Sequence, residues 1–172
     1  MIVSANPART SQPRVASTRS WERMNSVSSN FTRWLRRGRT PRQRLGDLGE
    51  RLAVRHLRAL GFRVAAKNVR VPIGHSPSGR AVIGEIDIVA YEGETLVFIE
   101  VKTRRRDGMF ATERSVDARK RRLLARSARR YRRWFGVASD PYRFDVVTVL
   151  APREGTPRVR LLRGGFADPL LR

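Results

Sequence analysis

The sequence predicts a single α/β domain preceded by a basic arm that cannot form a core. Three observations carry this: two stretches with apolar residues every three or four positions, several short runs rich in Val, Ile and Phe, and an opening stretch with neither pattern. At 172 residues the chain has room for one ordinary core and would be cramped for two full domains.

Residues 1–41 are rich in Ser, Thr, Asn, Pro and Arg and contain one acid, Glu22. That composition predicts a disordered basic arm. It also suits an organellar transit peptide, and a start at Met24 would leave a shorter arm with Phe31, Trp34 and Leu35 as one amphipathic docking patch. The folded domain is expected to span residues 42–172.

The stretch PRQRLGDLGERLAVRHLRALGF begins at Pro41 and sets Leu45, Leu48, Leu52, Ala53, Leu57 and Leu60 at helical spacing, with Gly61 as its stop. Phe62 to Val71 alternates loosely and predicts a first strand. The segment PIGHSPSGR has the Pro and Gly content of a surface loop, expected over Pro72 to Val82. Ile83 to Ala90 and Thr95 to Thr103 predict two strands joined through Tyr91-Glu92-Gly93-Glu94. Ser115 to Phe135 predicts a second helix, with Val116, Leu123, Leu124, Ala128, Tyr131 and Phe135 on one side and Arg on the other. Tyr142 to Leu150 predicts a further strand, and Val159 to Leu162 an edge beside it. The predicted order is helix, three strands, helix, strand, strand.

The chain has 37 Lys and Arg against 15 Asp and Glu, a formal charge of +22, and nearly all of the positive charge is Arg. Guanidinium forks match phosphate oxygens, so a polyanion is the expected partner, and DNA ahead of RNA. High genomic G+C content raises Arg usage as well. With no cysteine, disulfide scaffolds, thiol catalysis and Cys-based zinc sites are excluded. No run of 18 apolar residues occurs, so a soluble protein without a membrane partner is expected, in the cytoplasm or on the nucleoid.

Four charges interrupt the two apolar hairpin strands: Glu85, Asp87, Glu100 and Lys102. Alternation puts Leu96, Phe98, Glu100 and Lys102 on one face. The other, Ile86, Ile88, Ala90, Val97, Ile99 and Val101, is uniformly apolar and is expected to pack on a helix. With the turn centred on Glu92 and Gly93, Glu85 opposes Glu100 and Asp87 opposes Phe98. Asp87 is then diagonal to Glu100, with Cβ atoms roughly 7 Å apart. Two carboxylates this close need compensating charge, from Lys102 and from a hard cation such as Mg²⁺, or Mn²⁺ in its place. The ordinary reading of Glu and Lys two apart on a strand is a solvated pair. Asp87 beside them, in a chain this basic, favours a cation site.

The blocks Gly46-x-x-Gly49-Glu50, Gly84-Glu85-Ile86-Asp87, Phe98-Ile99-Glu100-Val101-Lys102-Thr103-Arg104 and Arg143-Phe144-Asp145-Val146-Val147 together resemble the YraN-like bacterial family. That family looks like part of the PD-(D/E)XK nuclease superfamily, close in layout to archaeal Holliday junction resolvases. The resemblance implies a restriction endonuclease-like mixed central sheet flanked by helices. It also implies Mg²⁺-dependent hydrolysis of phosphodiester bonds in branched or damaged DNA. On that basis Asp87 and Glu100 are expected metal-binding and catalytic acids, Lys102 the catalytic lysine, and Glu50 and the Val101 carbonyl further ligands. Arg104, Arg105, Arg106 and Lys120, which matches a family lysine, are expected nucleic-acid contacts, although Lys120 also borders the apolar side of its helix. Resolvase-like relatives suggest a homodimer. A non-catalytic nucleic-acid-binding protein, associated with RNA or the ribosome, stands as the alternative. His56 is expected to be a partly buried structural histidine, His75 a loop residue or phosphate contact, and Trp134 to pack under the last helical turn or stack on a base. Asp145 either holds an Arg near the site or forms a structural ion pair with Arg143.

Overall fold

The computed structural model describes residues 40–105 and 116–171. Residues 1–39 of the expected arm, and Arg106, lie outside the described residues.

Helix α1 (Pro41–Ala59) starts at a capping box: Gln43 N donates to Thr40 Oγ1 at 3.2 Å and Thr40 N to Gln43 Oε1 at 2.8 Å, with Pro41 in the first turn. It buries Gly49, Ala53, Val54 and Leu57 and stops before Gly61, whose φ of +87° favours glycine.

Strand β1 (Arg63–His75) is longer than expected and absorbs residues 72–75 of the predicted loop. Pro72 and Gly74 mark a register shift against β2, not a turn. Such a shift is tolerated here because β1 is an edge strand, where a missing N–H leaves no ladder partner stranded. The true turn is confined to residues 76–80, closed by Ser76 N donating to Arg80 O at 2.8 Å.

Strands β2 (Ala81–Glu92) and β3 (Thr95–Arg104) form the expected hairpin, but around Gly93-Glu94, with Gly93 at φ +58°. Glu92 therefore pairs with Thr95 and Ile88 with Ile99. The expected register is corrected: Asp87 does not oppose Phe98, which pairs with Val89, and Asp87 and Glu100 both lie one residue past the last pair.

Helix α2 (Ala118–Trp134) is capped by Asp117, whose Oδ1 accepts from Lys120 N at 2.7 Å. It connects β3 to the parallel strand β4 (Tyr142–Leu150), and β5 (Arg158–Phe166) returns antiparallel. The sheet order is β1-β2-β3-β4-β5, a mixed five-stranded sheet flanked by two helices. This is the predicted α/β class, in an element order consistent with a restriction endonuclease-like core. No helix of the described residues is long and apolar enough to cross a membrane.

Each helix covers its own face of the sheet. Ala53, Val54 and Leu57 of α1 meet Ile88, Ala90, Val97, Ile99, Val147 and Val149. Leu124, Ala125, Ala128 and Tyr131 of α2 meet Leu96, Phe98, Phe144 and Val146. Leu96 and Phe98 are thus core, and the face expected to be charged is polar only beyond Phe98. Ile86 does not join Ile88 as expected but belongs to the α2 layer. The change falls at Asp87, opposite Asn68, whose φ of +51° breaks the regular alternation of β1.

Candidate functional site

The site forms where the β2–β3 ladder ends. Beyond the Ile88–Ile99 pair, the Val101 N–H is bonded by a side chain: it donates to Asp87 Oδ2 at 2.7 Å. Asp87 is thereby fixed beside Glu100. Burial and the charge of Glu100 push the Asp87 carboxyl up to about 7, against the pull of the Val101 N–H and of Lys120.

Glu100 is 2% exposed, and its charge is met from two directions. Lys102 Nζ, from the same strand, lies 2.9 Å from Oε1, and Lys120 Nζ, from α2, lies 3.2 Å from Oε2. Each carboxylate oxygen of Glu100 therefore faces its own ammonium. Burial lowers the pKa of the Lys120 ammonium, but Glu100 and Asp87 outweigh it, and the net shift is upward.

Glu50 reaches the cluster from α1, where Gly49 lets the helix approach: a Cβ there would fall 1.8 Å from Thr103 Oγ1 of β3. Its Oε2 accepts from Asn68 Nδ2 at 2.9 Å. Burial raises the Glu50 pKa, the Asn68 bond opposes this, and Asp47 and Glu85 add to the rise. Gly84 does for α2 what Gly49 does for α1, since a Cβ there would fall 2.0 Å from Ser127 Oγ. Glu85 is exposed at the rim, and its charge acts on both Glu50 and Lys120.

The expected residues Glu50, Asp87, Glu100, Lys102 and Lys120 thus gather at one end of the sheet. Arg104 and Arg105 follow at the exposed end of β3. Asp145 has other partners: fully buried, it receives Arg143 Nε at 2.9 Å, Arg143 Nη2 at 3.0 Å and Gly164 N at 2.9 Å, a network continued by Glu92 and Arg163. Trp134 does not pack under its helical turn. It is 49% exposed, with the Arg130 guanidinium 5.1 Å from its ring centre. His56 is half-buried on α1. Asn68 was missed from the sequence, although an Asn inside a strand-like run is a residue type that tolerates positive φ.

Among the described residues, no three His, Cys, Asp or Glu side chains form a ready-made metal cage. Mg²⁺ does not need one, because it binds through one or two carboxylates and keeps its waters. Asp87 and Glu100 fit that requirement as two adjacent acids: burial and the charge of Glu100 both destabilise Asp87 as an anion, which a cation would offset.

The defining pattern of the uncharacterised protein family UPF0102 matches residues 49–149. A UPF0102 protein of Symbiobacterium thermophilum is 40% identical over 124 residues, covering 72% of this chain and 97% of its own length. The chain belongs to the UPF0102 family. Further UPF0102 relatives are those of Solibacter usitatus, 41% identical over 132 residues (77% of this chain, 92% of the relative), and Porphyromonas gingivalis, 41% over 126 (73% and 84%). The family segment contains Glu50, Asp87, Glu100, Lys102 and Lys120.

Proposed function

We propose that this UPF0102 protein hydrolyses phosphodiester bonds in DNA with Mg²⁺ or Mn²⁺, on branched or damaged substrates. The observation that carries the reading is Glu100: an acid 2% exposed, placed beside Asp87 and met by two lysines from separate elements, in a chain of charge +22. Burying such a cluster is expensive for a fold that gains nothing from it. The resemblance to PD-(D/E)XK nucleases supports the same reading.

Asp87 and Glu100 would hold the cation, with Glu50 and the Val101 carbonyl in support. The bound cation would supply Lewis acidity toward a phosphate oxygen and toward water. Lys102, next to Glu100 on the strand, orients the attacking water and offsets the charge that develops on the phosphoryl oxygens. The water oxygen bonds to phosphorus, the bond to the leaving oxygen breaks, and that oxygen takes up a proton, giving a phosphate monoester and a hydroxyl. Arg104, Arg105 and Arg106 hold flanking phosphates.

One observation favours the second reading, a nucleic-acid-binding protein that does not cut, with RNA or the ribosome as partner. Lys102 and Lys120 already meet the charge of Glu100 from within the chain. The deciding experiment incubates linear, branched and single-stranded DNA, and RNA, with Mg²⁺ or Mn²⁺ and wild-type protein, Asp87→Ala or Lys102→Ala. Metal-dependent products from wild type alone support hydrolysis. No products from any substrate, or equal products from the variants, reject it.

A further inference from the structure

Helix α2 breaks two rules of helix electrostatics. Its sequence, ARKRRLLARSARRYRRW, contains no acid, and its first turn carries Arg119, Lys120 and Arg121, where the helix dipole favours negative charge. Arg119, Arg122, Arg126, Arg130 and Arg133 follow one another at steps of three and four, and all are exposed. At 100° per residue they fall within a stripe about 80° wide. That stripe is opposite the buried face of Leu124, Ala125, Ala128 and Tyr131.

Like charges at these spacings repel, and within Ala118–Trp134 no carboxylate answers them, the Asp117 cap meeting only the first turn. Arg126 Nη2 donates to Ile73 O at 2.6 Å, and Arg130 stacks on Trp134. Neither contact neutralises charge, and Arg119, Arg122 and Arg133 make no ion pair among the described residues. A local rule broken along a whole face, with no compensating acid on that face among the described residues, suits a polyanionic partner.

We propose that the outer face of α2 carries a nucleic-acid strand to the Glu100 cluster, with Trp134 as the stacking platform for an unpaired base. From Arg119 to Arg133 the stripe runs about 21 Å, the length of roughly six phosphates of one duplex strand. Its N-terminal end adjoins Lys120, whose ammonium touches Glu100. At its C-terminal end Trp134 offers an open ring beside Arg130, the combination that holds bases of single strands without reading their identity. The substrate class is therefore a nucleic acid with a single-stranded flank beside a duplex. The inference rests on the nucleic-acid part of the proposed function and not on hydrolysis.

The test is metal-free fluorescence anisotropy with the full-length protein in EDTA, across a salt series, using an oligothymidylate of about 20 nucleotides and a duplex of equal length. Arg122→Gln/Arg126→Gln/Arg133→Gln should flatten the slope of log affinity against log salt on the duplex by about 2.7, from about 0.9 for each of three lost phosphate contacts. Arg51→Gln/Arg55→Gln/Arg58→Gln, the same charge loss on exposed positions of α1, should leave the slope near wild type. Trp134→Ala should weaken single-strand binding about tenfold more than duplex binding, and Trp134→Phe should restore most of it. An unchanged slope in the α2 variant, an equal change in the α1 variant, or equal loss on both probes for Trp134→Ala overturns the proposal. Absence of cleavage in wild type would reject hydrolysis and leave this face standing.

Discussion

The Asp87 side chain takes the Val101 N–H at 2.7 Å at the point where β2 and β3 stop pairing. A carboxylate thus replaces a backbone carbonyl in the ladder. The strands separate without orphaning a donor, and an acid is fixed next to Glu100.

Asp87 makes stability depend on pH. Its carboxyl rises in the fold from an ordinary value near 3.8 to about 7, so the native state binds more protons across that window. The associated stability is complete below the lower value and is lost as pH rises through the upper one. Asp87→Asn keeps an oxygen for Val101 N–H and should make the melting temperature less dependent on pH between about 4 and 7. Thermal melts across that range check it; an unchanged profile contradicts it. With Asp87 as a ligand, Mg²⁺ should raise the wild-type melting temperature more at pH 8 than at pH 5, because protons compete for the same oxygens.

Gly49→Ala tests the approach of α1 to β3. Helix propensity alone favours Ala by about 1 kcal/mol, but the new Cβ would meet Thr103 Oγ1 at 1.8 Å and Thr103 Cβ at 2.8 Å. Overpacking of this kind costs about 1–3 kcal/mol, so the net change should be destabilising. Gly49→Ala/Thr103→Ala should recover part of it in urea denaturation. A stabilised single variant would show that the contact does not set the helix position.

Removing Lys120 leaves Glu100 buried with one ammonium instead of two. Lys120→Met should cost about 1–2 kcal/mol, below the usual cost of breaking a buried pair because Lys102 remains. Glu100→Gln should remove most of that penalty, so a double-mutant cycle should show favourable coupling. Additive losses would mean the two side chains do not interact energetically.

Asp145→Ala should unsettle the fold without touching the cluster. It takes a fully buried acceptor away from Arg143, which keeps Glu92, and from the Gly164 N–H, at a cost of about 1–3 kcal/mol. The folded fraction should bind Mn²⁺ and oligonucleotide as wild type does. Selective loss of metal binding with unchanged stability would give Asp145 a role in the cluster after all.

Much of the fold was legible because its elements have clean periods. The stripe Leu124, Ala128, Tyr131 and the apolar run of β4 matched their elements closely. β1 was cut short because Pro72 and Gly74 read as a turn, and only the sheet order reveals an edge that accepts them. The hairpin register slipped because Glu92-Gly93 and Gly93-Glu94 are equally plausible turn centres. The slip moves each partner by two residues, which preserves the faces and explains why Asp87 and Glu100 were still placed together. Ile86 was misassigned because strict alternation takes no account of Asn68 at φ +51°. Lys120 and Asn68 reach the acids from distant elements, and contacts of that kind are not written in local spacing.

The parallel pairing of β3 with β4 also sets the order in which the molecule can assemble. The β2–β3 hairpin is local and can close on its own, placing Asp87 beside Glu100 early. Glu100 lies against Val146 only once the long α2 crossover has folded back, and closing so large a loop is slow. Lys120 reaches the two acids only when α2 packs on the sheet, so the full cluster needs the helix as well as the hairpin.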